Sequence, residues 1–509
     1  MNRLKSHHSI NIDWFGILGI VALCLLSRLP LLMSPYFMPN GDECVLGLMA
    51  KHMAEGREFP FYFWGQHYGF SLIEAGAVSL AIKCFGIGVF SLKVPMLFLW
   101  TLGCIFFYVA LGQWTTKIYS FWITCLLILS PAWSGWSMQA RGGYITAFLL
   151  STIIIFLIGR NGQSLKRSSC LYIGILSGFI FFSQPIYLLG VLPLLIFTIF
   201  RKRMNISIFI CITGFIGIFI LGKVASHFQS NTDYWEPILY RSYNFGAFFS
   251  SVKDILFKAL NQDAGSYWAA VTISKAWSVI FLIALLFTVL GLITKKTMFF
   301  LAPFLIGPVL ILGYSFLFNC GGPNRYLLSL SVFLILWVGI LNFVLMNKNM
   351  FFKALWGLVV SVLIILGIFA TWNYKKSAKS NEISDVQKIS NVIQFLKASG
   401  VKYVFSCDGQ QQWQIMFFSN EEIISSWSFC PDRHPAYCQA VTQAFLNGQK
   451  VALVGLISQQ IFNRIATTKS RQAVFVGPYF VYMSPSKELM INKLGYQLYK
   501  FLQIIEHTK

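Results

Sequence analysis

Residues 14–33 form a run of about 20 mostly apolar residues carrying a single charge, Arg28, and about ten further runs follow it. A helix of that length rises about 30 Å, the thickness of a bilayer's hydrocarbon core. Water cannot satisfy backbone groups there, so a chain built this way is restricted to helices wherever it crosses. The remaining runs are 92–111, 119–133, 144–158, 171–183, 186–200, 206–225, 273–293, 299–318, 326–346 and 354–372. Composition agrees: 56% of the residues are hydrophobic and only 11% are charged, against about a quarter in soluble domains. The fold class expected is an α-helical polytopic membrane protein of about 11 transmembrane helices, over residues 1–372.

The net charge of +22 would suit a nucleic-acid partner, but the basic residues come in short clusters between apolar runs. That is how cytoplasmic loops hold Lys and Arg, so no nucleic-acid partner is expected. Arg3 and Lys5 precede the first run and no small-residue cleavage site follows, which reads as an uncleaved anchor. Counting from a cytoplasmic N-terminus, the inner loops carry Lys117; Arg160, Lys166 and Arg167; Arg201, Lys202 and Arg203; Lys295 and Lys296; Lys348 and Lys353, with no acid among them. Apart from Asp13, every Asp and Glu falls on the expected outer side. Arg28, near the outer end of the first run, is expected either to snorkel or to pair with an acid.

The first outer loop, 34–91, concentrates the chemistry. It holds Asp42, Glu43, Gln66, His67, Tyr68 and Glu74, and no further acid occurs until Asp233. A carboxylate on an aqueous ledge beside the membrane can accept a proton from an attacking hydroxyl or amine. A phosphate leaving group would need guanidinium forks at the same face. Arg141, in Trp-Ser-Met-Gln-Ala-Arg-Gly-Gly, and Arg325, in Asn-Cys-Gly-Gly-Pro-Asn-Arg, both lie at the outer mouths of helices. Structural alternatives stand beside each role. Asp42 and Glu43 open a helical pattern that Asn40 or Asp42 could cap. Glu74 could pair with Lys83 or an arginine, and His67 and Tyr68 either line a sugar pocket or belong to an interfacial aromatic belt.

A second long outer loop, 226–272, contains an amphipathic helical pattern from Phe245 to Leu260. From 373 to 509 the pattern changes. Alternating apolar runs at 402–407, 450–455 and 473–483 are interleaved with helical ones at 383–398, 436–446 and 459–467, an outer α/β domain. Cys430 and Cys438 form a disulfide in an oxidising compartment, with Cys407 as competitor, or remain two thiols. The single His434 beside them does not make a zinc pattern, and a divalent metal would want more carboxylates than can be placed together, so no cofactor or metal is expected.

In order, the chain shows Arg28-Leu-Pro, then Gly41-Asp-Glu, Gly65-Gln-x-Tyr and Ser71-Leu-x-Glu, then Leu92-Lys-Val-Pro, Gly-Gly-Pro-Asn-Arg-Tyr-Leu-Leu and Asp432-Arg-His-Pro-Ala-Tyr. This set resembles the bacterial branch of the GT-C membrane glycosyltransferases, relatives of the protein mannosyltransferases (glycosyltransferase 39) and of the lipid A aminoarabinose transferase. The tail departs from that pattern at Asp408-Gly409-Gln410, where relatives tend to carry an aromatic pair. The resemblance implies an inverting transfer of a sugar from a polyprenyl-phosphate donor to an envelope glycan, lipid or protein, on the outer face of the inner (plasma) membrane. It implies Asp42 as catalytic base with Glu43 beside it, Arg325 and Arg141 at the donor phosphate, and Gln66, His67, Tyr68, Glu74 and Tyr326 around the substrate. The rival expectation is a flippase of lipid-linked saccharides, although the charges avoid mid-membrane and no inverted repeat is evident.

Overall fold

The structure is a computed structural model describing residues 13–35, 37–66, 69–160, 166–201, 205–228, 248–261, 268–290, 295–317, 324–346, 350–373, 385–427, 433–457 and 473–485. In chain order the helices are α1 (Trp14–Leu32), α2 (Gly41–Ala54), α3 (Leu72–Phe85), α4 (Val89–Leu111), α5 (Lys117–Ile128), a single turn α6 (Trp133–Trp136), α7 (Tyr144–Arg160), α8 (Arg167–Ser183) and α9 (Ile186–Arg201). They continue as α10 (Asn205–Phe228), α11 (Phe248–Leu260), α12 (Trp268–Leu290), α13 (Lys295–Leu317), α14 (Leu328–Met346) and α15 (Met350–Trp372). Each expected apolar run carries a helix. Six of them, α1, α4, α10, α12, α14 and α15, contain stretches long and apolar enough to cross a membrane by length and composition. The apolar parts of α5, α7, α8, α9 and α13 are shorter, and the chain is a multi-pass membrane protein.

One run differs from its expectation. Instead of one helix over 119–133, α5 stops at Ile128, because Pro131 disfavours helical geometry at the residue before it. The break frees carbonyls in an apolar setting, and Arg28 takes them up. Its Nη2 donates to Ile128 O at 2.6 Å and Trp133 O at 3.3 Å, and its Nε to Ser137 Oγ at 2.7 Å. Arg28 is wholly buried, so it does not snorkel, and among the described residues it pairs with no acid. It ties α1 to the broken segment that leads to Arg141.

The outer α/β domain is a five-stranded mixed sheet, ordered β2-β1-β3-β5-β4. The strands are β1 (Tyr403–Ser406), β2 (Ile424–Trp427), β3 (Val451–Leu456), β4 (Ala473–Val476) and β5 (Tyr479–Met483), with α16 (Asp385–Ala398), α17 (Gly409–Phe418) and α18 (Pro435–Leu446) around it. β1 runs parallel to β2 and β3, while β5 is antiparallel to β3 and β4. The run expected as one strand over 473–483 is a hairpin, since Gly477, at φ +58°, and Pro478 make a turn between β4 and β5. Sequence patterning also missed α17 and β2. α17 is short and buried on most sides, so it lacks a clean apolar stripe. The helical pattern at 459–467 and Cys430 lie outside the described residues. α11 confirms the amphipathic pattern, with Ile255, Ala259 and Leu260 buried.

α2 and α3 fall in the first outer loop, and α2 carries the candidate base. Asn40 caps it: the Asn40 side chain accepts from Glu43 N while Glu43 Oε2 accepts from Asn40 N, both at 3.1 Å. Glu43 Oε1 accepts from Lys93 Nζ of α4 at 2.5 Å, with both side chains almost fully buried. From the outer domain, Gln410 of α17 accepts from Gly41 N at 2.5 Å and Gln414 donates to Pro39 O at 2.9 Å. A Cβ on Gly41 would lie 2.6 Å from the Gln410 Cα, so glycine is what lets α17 close on α2. The departure at Asp408-Gly409-Gln410 thereby has a use, because Asp408 caps α17 and Gln410 holds the start of α2.

Breaking the buried ion pair strands a charge. Glu43→Gln or Lys93→Met should each cost about 3–5 kcal/mol in unfolding stability, while the paired replacement Glu43→Leu with Lys93→Met should cost less than either. Denaturation of the detergent-solubilised protein would measure both.

Candidate active site

At the second position of α2, Asp42 points away from the Glu43 ion pair and into a group of arginines. Oδ2 accepts from Arg141 Nε at 3.0 Å and Nη2 at 2.5 Å, and Arg325 Nη1 lies 3.9 Å from the same oxygen. Oδ1 is 3.0 Å from Arg433 Nη2. Arg141 follows α6, Arg325 lies in the 3-10 turn Asn324–Leu327 that leads into α14, and Arg433 stands just before α18. Three distant segments thus meet on one carboxylate. Each guanidinium also lies over an aromatic ring: Arg141 over Trp136 at 5.3 Å, Arg325 over Tyr326 at 5.0 Å and Arg433 over Phe63 at 5.2 Å. Those faces hold the planar cations without cancelling their charge.

Burial would raise the Asp42 carboxyl, but Arg433 and Arg141, with Arg325 behind them, hold it below the usual carboxylate range. In this state Asp42 is ionised and weakly basic. Among the described residues it is the one carboxylate within ion-pair range of the three arginines. Three cations against one anion leave a surplus of two positive charges at a partly open site.

The other expected site residues separate into distinct places. Glu43 does not face the arginines; its carboxylate is consumed by Lys93, Asn40 and the Ala140 amide, so it orients α2 rather than touching a substrate. Glu74 is fully buried at the start of α3 and, among the described residues, pairs with neither Lys83 nor an arginine. It accepts from Gly143 N at 3.1 Å and from Thr146 N and Oγ1 at 3.2 and 3.3 Å, capping the start of α7 directly after Arg141. Gly143, at φ +86°, makes that close turn, with Phe70 O 2.9 Å from where a Cβ would stand. Tyr326 is at the site and accepts from Arg325 Nη2 at 3.1 Å. Gln66 lies in the turn between Tyr62 and Phe70, three residues from Phe63 beneath Arg433. His67 and Tyr68 lie outside the described residues.

Arg433 was not singled out from the sequence. Its available signal was an arginine in a Pro- and His-flanked turn of an outer domain, beside a stretch resembling family members, but no local pattern links it to Asp42.

No protein-family model and no curated protein matches this sequence. Solved structures do. ArnT from Cupriavidus metallidurans bound to undecaprenyl phosphate superposes with a TM-score of 0.61 at 11% identity, over 94% of this chain and 99% of that one. Its apo form gives 0.58 at 13% identity, over 92% and 98%. The Archaeoglobus fulgidus oligosaccharyltransferase, in complex with Zn and sulfate, gives 0.52 at 10%, over 88% of this chain and 69% of that one. The fold is therefore that of the GT-C membrane glycosyltransferases. Within that class the architecture is the one seen in the aminoarabinose transferase ArnT.

Burial pushes the Glu74 carboxyl up from 4.5 to about 7, with only partial relief from the α7 amides. The folded chain then keeps a proton there that the unfolded chain has lost, so stability should fall as pH rises from about 5 to about 7 and level off above, by on the order of 3 kcal/mol. Thermal unfolding across that range should show the fall, and Glu74→Gln should flatten it.

Proposed function

We propose that the protein is an inverting glycosyltransferase that moves a sugar from a polyprenyl-phosphate donor to an envelope glycan, lipid or protein at the outer face of the cytoplasmic membrane. The observation that carries this is the Asp42 carboxylate held among Arg141, Arg325 and Arg433. A sugar-phosphate-polyprenol has one negative phosphate charge, and the polyprenyl phosphate that leaves has two. Preorganised guanidinium groups stabilise the charge that develops on such a leaving group. The surplus of two positive charges matches it.

In the proposed reaction, an acceptor hydroxyl or amine gives its proton to Asp42 as its oxygen or nitrogen attacks the anomeric carbon. The bond from that carbon to the phosphate oxygen breaks on the opposite face, which inverts the configuration. The electron pair leaves with polyprenyl phosphate, onto the arginines. Donor binding also prepares the base: phosphate draws the guanidiniums from Asp42, and the carboxylate's basicity rises as its counter-ions move. A nucleotide sugar would be on the cytoplasmic side, so an outward-facing base needs a donor that has already crossed.

An apolar cavity among the helices supports a lipid-linked donor. A cavity of about 490 Å³ between α8, α9, α10 and α13 is lined by Phe181, Leu188, Leu192, Phe215 and Tyr314, and reaches Pro185. The neighbouring Gln184 donates to Gly142 O at 3.1 Å, next to Arg141. ArnT's binding of undecaprenyl phosphate, in a chain of the same architecture, supports such a donor. Nothing comparable supports a flippase.

Asp42→Asn should lower the release of polyprenyl phosphate about 10²–10⁴-fold with a panel of polyprenyl-phosphate sugars. Donor affinity should be kept or improved, because the variant frees the arginines. Loss of donor binding with unchanged turnover would make Asp42 a structural counter-ion and overturn its role as base. Arg141→Lys should cost at least about tenfold in kcat/KM, since an ammonium cannot replace a two-pronged guanidinium contact.

A further inference from the structure

The three arginines do not meet Asp42 alike. Arg141 and Arg325 both face Oδ2 and come from segments at the mouths of membrane helices, whereas Arg433 faces Oδ1 and comes from the outer domain. Its Nη2 is 3.0 Å from Oδ1, but its Nη1 is buried without a hydrogen-bond partner. A buried charged donor with no acceptor is costly, and the cost is recovered when a ligand supplies the oxygen.

The Arg433 stem is fixed against the first outer loop. Its guanidinium lies 5.2 Å from the centre of the Phe63 ring, and Gly65, at φ +73°, packs beside it. A Cβ on Gly65 would stand 2.9 Å from Arg433 Cβ and 3.0 Å from its Cα, so glycine is what admits the arginine. The acids nearby on α2, the loop after it and the outer domain are engaged with other cations. Glu421 is 2.6 Å from both Lys51 and Arg57 and 3.0 Å from His52 Nε2, and Glu55 meets Lys51 and Arg57. Glu58 is 2.8 Å from His52 Nδ1 and 3.8 Å from His434 Nε2. Among the described residues, Asp42 is the one carboxylate within ion-pair range of Arg433.

In the proposed transfer, on which this inference rests, Arg433 is left a further task. Inversion puts the acceptor and the phosphate on opposite sides of the anomeric carbon, so the acceptor approaches Asp42 from the side away from the phosphate. When Asp42 takes the acceptor's proton it becomes neutral, and the two charges of polyprenyl phosphate answer two of the three guanidiniums. One cation is left over. The same surplus exists before the reaction, when Asp42 and the donor phosphate carry one negative charge each. An acceptor with a single negative charge of its own balances the site at both stages, and a neutral acceptor balances it at neither.

We propose that Arg433 determines acceptor specificity, gripping through Nη1 an oxyanion, a carboxylate or a phosphodiester, that stands beside the acceptor's attacking hydroxyl or amine. The anion is a handle and not the attacking atom. A guanidinium fork can donate to Asp42 through one nitrogen and to the oxyanion through the other, which holds the attacking group against the base. Arg141 and Arg325 are left to the phosphate.

The test uses full-length protein in lipid nanodiscs, loaded with polyprenyl phosphate, and three soluble probes that differ in one group: methyl glucoside, methyl glucuronide and methyl glucoside 6-methylphosphate. Titrations should show the charged probes binding about 10–100-fold more tightly than the neutral one. Preference for either charged probe supports the proposal, and the stronger of the two names the oxyanion. Arg433→Met should bring the charged probes down to the affinity of the neutral one, and Arg433→Lys should keep part of the difference. Gly65→Ala, which keeps the guanidinium but displaces it, should also reduce the preference, whereas Arg141→Lys should weaken polyprenyl phosphate instead. Equal binding of all three probes by protein that holds polyprenyl phosphate would overturn the proposal and leave the transfer reading standing, as would a preference that survives in Arg433→Met. Folded protein that binds no polyprenyl phosphate would overturn both.

Discussion

The architecture converges on one electrostatic fact, the capture of a single carboxylate by three guanidinium groups from separate parts of the chain. In a poorly hydrated pocket such an arrangement is far from neutral, and a surplus of positive charge is costly unless something anionic is meant to occupy it. Asp42 holds the arginines apart and in place, and it is itself kept from acting as a strong base by their charge. The two halves of the proposed chemistry, grip on the leaving phosphate and removal of the acceptor's proton, are thereby coupled through the same ion pairs.

Much of the remaining polar structure serves to aim this group. Arg28 satisfies the carbonyls released where α5 breaks and so secures the segment that leads to Arg141. Glu74 caps α7 immediately beyond Arg141. Glu43, locked to Lys93, fixes the rotation of α2, and Gln410 holds its first residue. Arg28, Glu74 and Glu43 are buried, and each would be expensive if unpaired, so their partners define the geometry narrowly. Consecutive helix positions project about 100° apart, and hence of the adjacent acids Asp42 and Glu43 only one can face the arginines while the other faces Lys93.

The outer domain is part of the site rather than an appendage. α17 packs along α2, and Trp64 lies against His434 with ring centroids 4.5 Å apart. Arg433 reaches Asp42 from this side. Any motion of the domain relative to the helices would change the number of cations around the carboxylate, which ties its docking directly to the chemistry.

What could be read from the residues alone was what depends on composition and on short-range pattern: the helical membrane class, each apolar helix, most of the outer domain's elements, and Asp42, Arg141 and Arg325 as charges stranded at one face. Scarcity made those charges legible, because an acid or arginine beside an apolar run has few structural reasons to be there. What the sequence could not decide was partnership. The break after Ile128, the split of 473–483 into a hairpin, the separate duties of Asp42, Glu43 and Glu74, and the arrival of Arg433 and of the His52, Glu58 and His434 cluster all depend on which distant segments pack together. Periodicity records which face of an element is apolar, but it carries no information about what that face or its rim will meet, and only the folded chain supplies it.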